Sequence, residues 1–191
     1  NMHWEEQGPW TGEISAPMVK DCGATMVELG HSERRSFFNE TDETVALKVK
    51  AAVKHGLLAL VCIGDTKAEY DAGRTAEVLE RQTRAALSLV GKSSASKVIL
   101  AYEPVWSIGE GGVPADPDFA NEQQRRIKAV TLAETGAALP ILYGGSVNQQ
   151  NCCALARQPH IDGLFIGRAA WNAAGFIGIV EAVISDLGEP S

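Results

Sequence analysis

Ile99-Leu-Ala-Tyr-Glu-Pro-Val-Trp-Ser-Ile-Gly-Glu-Gly-Gly112 is the stretch on which both fold and chemistry turn. Val98, Ile99, Leu100 and Ala101 form a short apolar run with β-branched members, which predicts a buried strand. That strand carries a lone carboxylate, Glu103, to its tip. Pro104 then stops the ladder, because it has no N–H to donate, and it biases Glu103 towards an extended conformation. Beyond Trp106, the glycines Gly109, Gly111 and Gly112 mark a loop. A carboxylate at the end of a buried strand, followed by a glycine-rich loop, reads as a base with a lid. The same residues also read as an ordinary surface glutamate before a turn.

Outward from this stretch, the chain alternates strands and helices. Strands are expected near 25–30, 57–63, 98–102, 139–143 and 161–166. Leu57-Leu-Ala-Leu-Val-Cys-Ile63 is a continuous apolar run, as in a strand buried on both faces. Val45, Val49, Ala52 and Val53 fall on one helical face, with Asn39 or Thr41 as its cap and Gly56 as its stop. Val78, Leu79, Gln82, Ala85, Ala86 and Leu89 give a second amphipathic helix. Further helices are expected over 118–134, 148–156 and 172–187, and Ser15 with Pro17 opens a short one. Five βα units imply parallel strands joined by right-handed crossovers, and no internal linker divides residues 1–191, so one domain is expected.

The polar groups gather after the strands: His31 with Glu33, Cys62 with Asp65, Glu103 with its loop, Gly144-Gly145-Ser146, and Gly167-Arg168. In a parallel α/β fold these share one rim. Two of the five are glycine-rich turns that open helices, where exposed N–H groups favour an anion such as a phosphate monoester. A base, a neutral histidine donor, a phosphate cradle and a lid fit proton abstraction next to a carbonyl.

Composition narrows the class. The 191 residues are 45% hydrophobic and 21% charged, ordinary for a globular domain. A net charge of −7 without a basic run argues against a nucleic-acid partner. No apolar stretch approaches the ~18–20 residues that span a bilayer, so no membrane partner is expected. Cys22, Cys62, Cys152 and Cys153 make no zinc spacing and read as free thiols, which fits a cytoplasmic protein without a metal site. No cofactor is called for. Trp4 and Trp10 lie in a long loop over 1–14 and point to a covered partner surface.

Gly30-His-Ser-Glu-Arg-Arg35, Ala101-Tyr-Glu-Pro-Val-Trp106, Ile108-Gly109, Tyr143-Gly-Gly-Ser-Val147, Asp162-Gly163 and the loop from Asn1-Met-His-Trp4 to Thr11-Gly-Glu-Ile-Ser15 resemble the triosephosphate isomerase family almost end to end. The resemblance implies a (β/α)8 TIM barrel of which this chain holds the fourth to eighth strands and the third loop. About three strands, roughly 60 residues of a barrel of ~250, would lie outside it, and with them the family's catalytic lysine. The same resemblance implies that Glu103 is the base and His31 the neutral imidazole that polarises the carbonyl. Ser32, Glu33, Cys62 and Tyr143 would support them, Ser32 holding Glu103 in the open site and Tyr143 latching the lid. Gly109, Ser146 and Gly167 would bind phosphate. Trp4, Trp10, Glu13 and Arg34 would lie at a homodimer interface, with Glu13 and Arg34 pairing across it.

Four departures stand out. Gly112-Val113-Pro114 occupies the far hinge of the lid, Glu110 replaces a small polar residue, and Asp65 stands where a glutamate is usual. Arg168 replaces a second cradling glycine; it would pair with Glu110 or bind a displaced phosphate. Val27-Glu-Leu-Gly30 and Ile166-Gly-Arg-Ala-Ala-Trp171 are similar to a branch of the family that isomerises erythrulose phosphates in sugar-alcohol catabolism. The expected activity is therefore interconversion of glyceraldehyde 3-phosphate and dihydroxyacetone phosphate, in glycolysis and gluconeogenesis, with an erythrulose-phosphate isomerase as the alternative. An aldolase would need a Schiff-base lysine at a strand end, and none of the five strands ends in Lys. A non-catalytic family fragment is the remaining alternative.

Overall fold

The computed structural model describes residues 1–109 and 111–188. Glu110, one of the departures above, lies outside the described residues. Five parallel strands form one sheet in the order β1-β2-β3-β4-β5: Met26–Leu29, Leu58–Ile63, Val98–Tyr102, Ile141–Tyr143 and Gly163–Leu164. Among the described residues eight helices connect or flank them: α1 (Ala16–Asp21), α2 (Ser32–Phe37), α3 (Asp42–Lys54), α4 (Lys67–Asp71), α5 (Thr75–Leu87), α6 (Pro117–Thr135), α7 (Cys152–Ala156) and α8 (Ala173–Leu187).

Sequential strand order and the two faces of the sheet together define a barrel wall. On one face Val27, Leu29, Val61, Ile63, Leu100, Tyr102, Ile141 and Tyr143 are buried in a single core with Val45 and Val49 of α3, Leu79 of α5, Ile127 of α6, Leu155 of α7 and Ile179 of α8. The alternate strand residues form a separate cluster on the other face: Leu60, Cys62 and Ala101, flanked by Ile99, Leu142 and Phe165. Helices cover one face only, so the sheet is wound in a single direction, as a (β/α)8 barrel requires.

Local chemistry explains most element bounds. Thr41 caps α3 in a reciprocal box with Thr44, which leaves Asn39 in a left-handed turn at φ 55°. Gly56 ends the connection to β2 at φ +77°. Asp116 accepts from the backbone N–H groups of Asp118 and Phe119, and Pro117 takes the first position of α6.

The structure differs from expectation at several places. α4 has no apolar face to announce it; it forms because Thr66 and Glu69 make a capping box. The ladder of β5 holds two residues, where six were expected. Residues 148–151 are a turn stitched by Asn148 and Asn151, so α7 begins only at Cys152. Leu89 lies past the end of α5 and is exposed. Ser15 caps α1 by position, but its hydroxyl makes no capping bond.

Gly64 marks the closest approach of β2 to the end of β3: a Cβ there would sit 1.8 Å from the carbonyl oxygen of Glu103. Gln82 holds this glycine on both sides, accepting from its N–H at 2.7 Å and donating to its carbonyl at 3.1 Å. Gly64→Ala is expected to destabilise the protein by about 1–3 kcal/mol through backbone overpacking, measured by urea unfolding.

Candidate active site

All five polar groups of the sequence reading lie at the C-terminal ends of the strands. The Glu103 N–H continues the ladder to the carbonyl of Ile63 at 2.8 Å, so the last bond before Pro104 fixes the base. Its side chain is buried, 3% exposed. Oε1 lies 3.2 Å from Nε2 of His31, and Oε2 has no partner among the described residues. A buried carboxylate with one free oxygen is set to accept a proton.

His31 caps α2 and its Nδ1 accepts from the N–H of Glu33 at 3.3 Å. An acceptor at Nδ1 puts the proton on Nε2, the nitrogen that faces Glu103. A second influence opposes the neutral form. Hydrogen bonding to Glu103 raises the imidazole above its ordinary value; burial lowers it, and the charges of Glu103, Glu28 and Glu33 raise it again. The net effect on the imidazole is upward.

Ser32 is buried but makes no hydrogen bond to Glu103; in this arrangement Glu103 has turned to His31 instead. Glu33 is exposed, with its carboxylate 3.9 Å from Nδ1 of His31. Cys62 is buried beside the base, and its thiol is pushed well up by burial and then by the Glu103 charge, which makes it inert rather than nucleophilic.

The lid starts from a buried hub that the sequence reading underrated. Asp65 is wholly buried and accepts from Thr75 Oγ1 at 2.6 Å, the Tyr102 hydroxyl at 3.2 Å and Trp106 Nε1 at 3.2 Å. Trp106 also packs on Tyr70 and Phe119, so the near hinge is held by an aromatic cluster. Burial raises the Tyr102 phenol well above its usual value, with Asp65 adding to it, which keeps it a donor.

The far hinge and the phosphate end meet the lid from above β4 and β5. Tyr143 is fully buried, with its hydroxyl beside Ser107 and the backbone of Ala115; burial pushes it up to about 12. The hydroxyl makes no hydrogen bond among the described residues, so the expected latch is not engaged in this arrangement. Ser146 adopts φ +45°, and its hydroxyl donates to the carbonyl of Ser107 rather than standing free for a phosphate. Gly167 opens a 3-10 turn over Arg168–Ala170. Arg168 Nη2 donates to the carbonyl of Gly109 in the lid, a contact the sequence reading did not anticipate.

The loop expected at the interface is partly covered by its own chain. Trp4 stacks on His3 with ring centroids 4.1 Å apart and packs against the core, whereas Trp10 stays 45% exposed. Within the chain Arg34 pairs with Glu40 at 2.8 Å and lies over the Phe38 ring, and Glu13 is exposed. All four cysteines are unbonded. Among the described residues no three His, Cys, Asp or Glu side chains group to hold a metal, and no helix is long and apolar enough to cross a membrane.

A carboxylate and an imidazole facing each other on the C-terminal rim of a (β/α)8 wall, under a glycine-rich loop, define an isomerase-type barrel site. The comparisons with known proteins give the family. The triosephosphate isomerase family model matches residues 1–183. A protein of Rhizobium rhizogenes named L-erythrulose-1-phosphate isomerase is 55% identical over 188 residues, covering 98% of this chain and 72% of its own. Proteins of the same name from Brucella abortus and Rhizobium meliloti are 55% and 54% identical, covering 94% and 96% of this chain and 71% and 72% of theirs. The chain belongs to the triosephosphate isomerase family and is an isomerase.

Two outcomes follow from the geometry. Asp65→Ala leaves three donors without their acceptor, two of them on buried residues, and is expected to destabilise by about 2–4 kcal/mol in urea unfolding. For His31, the folded value is raised, so its pairing with Glu103 stabilises fully below the ordinary value of ~6.5 and is lost as pH rises through the folded value. NMR titration should show His31 titrating above that ordinary value in the wild type and falling back in Glu103→Gln.

Proposed function

We propose that this protein isomerises L-erythrulose 1-phosphate by moving a proton between adjacent carbons. The 3.2 Å approach of His31 and Glu103 carries the chemistry, because it sets a base and a hydrogen-bond donor on one small volume. The names of the relatives support the four-carbon substrate over the three-carbon one first expected, and they lend no support to a glycolytic setting.

The substrate limits the reaction. With a phosphate ester on C1 and the carbonyl on C2, the carbonyl can move only to C3. Glu103 takes the C3 proton, and an enediolate forms across C2 and C3. His31 Nε2–H stabilises the developing oxyanion by hydrogen bonding. The proton returns to C2. Renumbered from its other end, the product is a tetrulose with phosphate on C4. Water must be kept out, since an enediolate next to a phosphate ester can expel it. The lid, tied at Gly109 and Ser107, fits that need.

The backbone N–H groups of Ser146, Gly109 and Gly167 and the guanidinium of Arg168 are the candidate phosphate ligands in this reading. The guanidinium has five donors, of which the lid uses one among the described residues. No cofactor enters any step. A second copy of the chain is the candidate partner, supported by the exposed Trp10 on the loop before α1.

Glu103→Gln is expected to lower kcat on erythrulose 1-phosphate by about 10²–10⁴-fold, with KM little changed. Phosphorus NMR of the interconversion checks it. A wild-type enzyme that turns over only triose phosphates would instead restore the three-carbon reading.

A further inference from the structure

The strand order lays the site out along a line. β4 and β5 lead into Ser146, Gly167 and Arg168; β3 ends in Glu103; β1 leads into His31. A phosphorylated ketose on this rim has its phosphate over β4 and β5 and its reacting carbons over β3. Its remote end lies towards β1. The three-carbon and four-carbon substrates share the phosphate, the carbonyl and the reacting carbinol. They differ by one hydroxymethyl group at the remote end. Among the described strands, the one placed to read carbon number is β1, and Arg168, at the phosphate end, is the wrong place for it.

β1 carries one polar side chain, Glu28, on the face that could do this. Its neighbours Val27 and Leu29 are 4% and 1% exposed and point into the core under the helices. Glu28 takes the opposite face. It pairs in register with Leu60, which lies with Cys62 and Ala101, flanked by Ile99, Leu142 and Phe165, in the apolar lining of the inner face. It lies one strand repeat, roughly 7 Å, below Gly30, the residue before His31. Glu28 is half-buried, and the influences on its carboxyl are burial followed by the charges of His31 and Glu103, with no hydrogen bond among them. A carboxyl on an apolar wall, within electrostatic reach of both site residues and without a hydrogen-bond partner among the described residues, suits a hydroxyl.

We propose that Glu28 is the specificity-determining residue of this site, its carboxyl accepting a hydrogen bond from the terminal hydroxyl of a four-carbon substrate. The inference rests on the isomerase reading above. Its logic is selective: a three-carbon substrate has no group to offer, leaves Glu28 unpaired against the apolar wall and is penalised for it. An apolar residue at the same position would be indifferent to the missing group.

The test compares kcat/KM on erythrulose 1-phosphate and on dihydroxyacetone phosphate in the full-length enzyme. In the wild type the four-carbon substrate should be preferred. In Glu28→Leu the ratio should fall by about 10-fold or more, while Glu28→Gln, which keeps a carbonyl acceptor, should recover part of it. The 4-deoxy analogue of erythrulose 1-phosphate supplies a second arm that does not depend on a variant folding. Removing the C4 hydroxyl should slow the wild type by a similar factor and leave Glu28→Leu unaffected. A wild-type preference that persists undiminished in Glu28→Leu, or a wild type that handles the 4-deoxy analogue as well as the natural substrate, would overturn the assignment while leaving the isomerase reading intact. A wild type active on triose phosphate alone would overturn both the assignment and the four-carbon reading on which it rests.

Discussion

Asp65 is wholly buried and accepts hydrogen bonds from side chains on three separate elements: Thr75 of α5, Tyr102 of β3 and Trp106 at the root of the lid. Its backbone carbonyl takes a fourth, from Val105 at 3.0 Å. A buried carboxylate is unfavourable unless its oxygens are satisfied, so this arrangement tolerates little displacement of any partner. Tyr102 and Val105 bracket Glu103 in the sequence. Glu103 is thus anchored on both sides through Asp65. Gly64, one residue earlier, completes the anchoring by letting the backbone of Glu103 approach closer than any side chain would allow.

The alternation of the strands separates stability from chemistry. Val61, Ile63, Leu100, Tyr102, Ile141 and Tyr143 face the helices and carry the core. The inner face is thinner and holds the smaller cluster around Leu60, Cys62 and Ala101. Site residues come from the ends of the strands, and Glu28 from the inner face itself. Substitutions on the inner face therefore alter selectivity at less risk to the fold than those on the outer face.

Much of this could be read from the chain because local patterns agreed with the global one. The five strands, the amphipathic faces of α3 and α5, and the rim position of Glu103 and His31 all followed from period and punctuation. The misses have physical causes. α4 is held by a capping box, Thr66 with Glu69, and has no apolar periodicity to reveal it. β5 is short because the ladder counts only paired residues, and it pairs with β4 alone among the described residues. Asp65 looked like one more polar residue at a strand end, since burial and three long-range donors leave no mark in local sequence. Arg168 and Gly109 are 59 residues apart, and their contact arises because the segments after β3 and β5 meet on one rim of the sheet. Glu28 was visible only as part of a branch resemblance. Its importance comes from strand order, which the sequence shows weakly.

The lid is held from the side where the phosphate is proposed to bind. The Ser146 hydroxyl reaches Ser107, and the Arg168 guanidinium reaches Gly109, whose carbonyl also receives the Gly112 N–H at 3.4 Å. A glycine at position 168 could offer a phosphate only its backbone N–H. An arginine offers a planar fork, and one arm of it holds the loop at Gly109. A phosphate bound to the same guanidinium, as proposed, would favour closure of the loop, and closure would favour the phosphate, because each orders the same side chain.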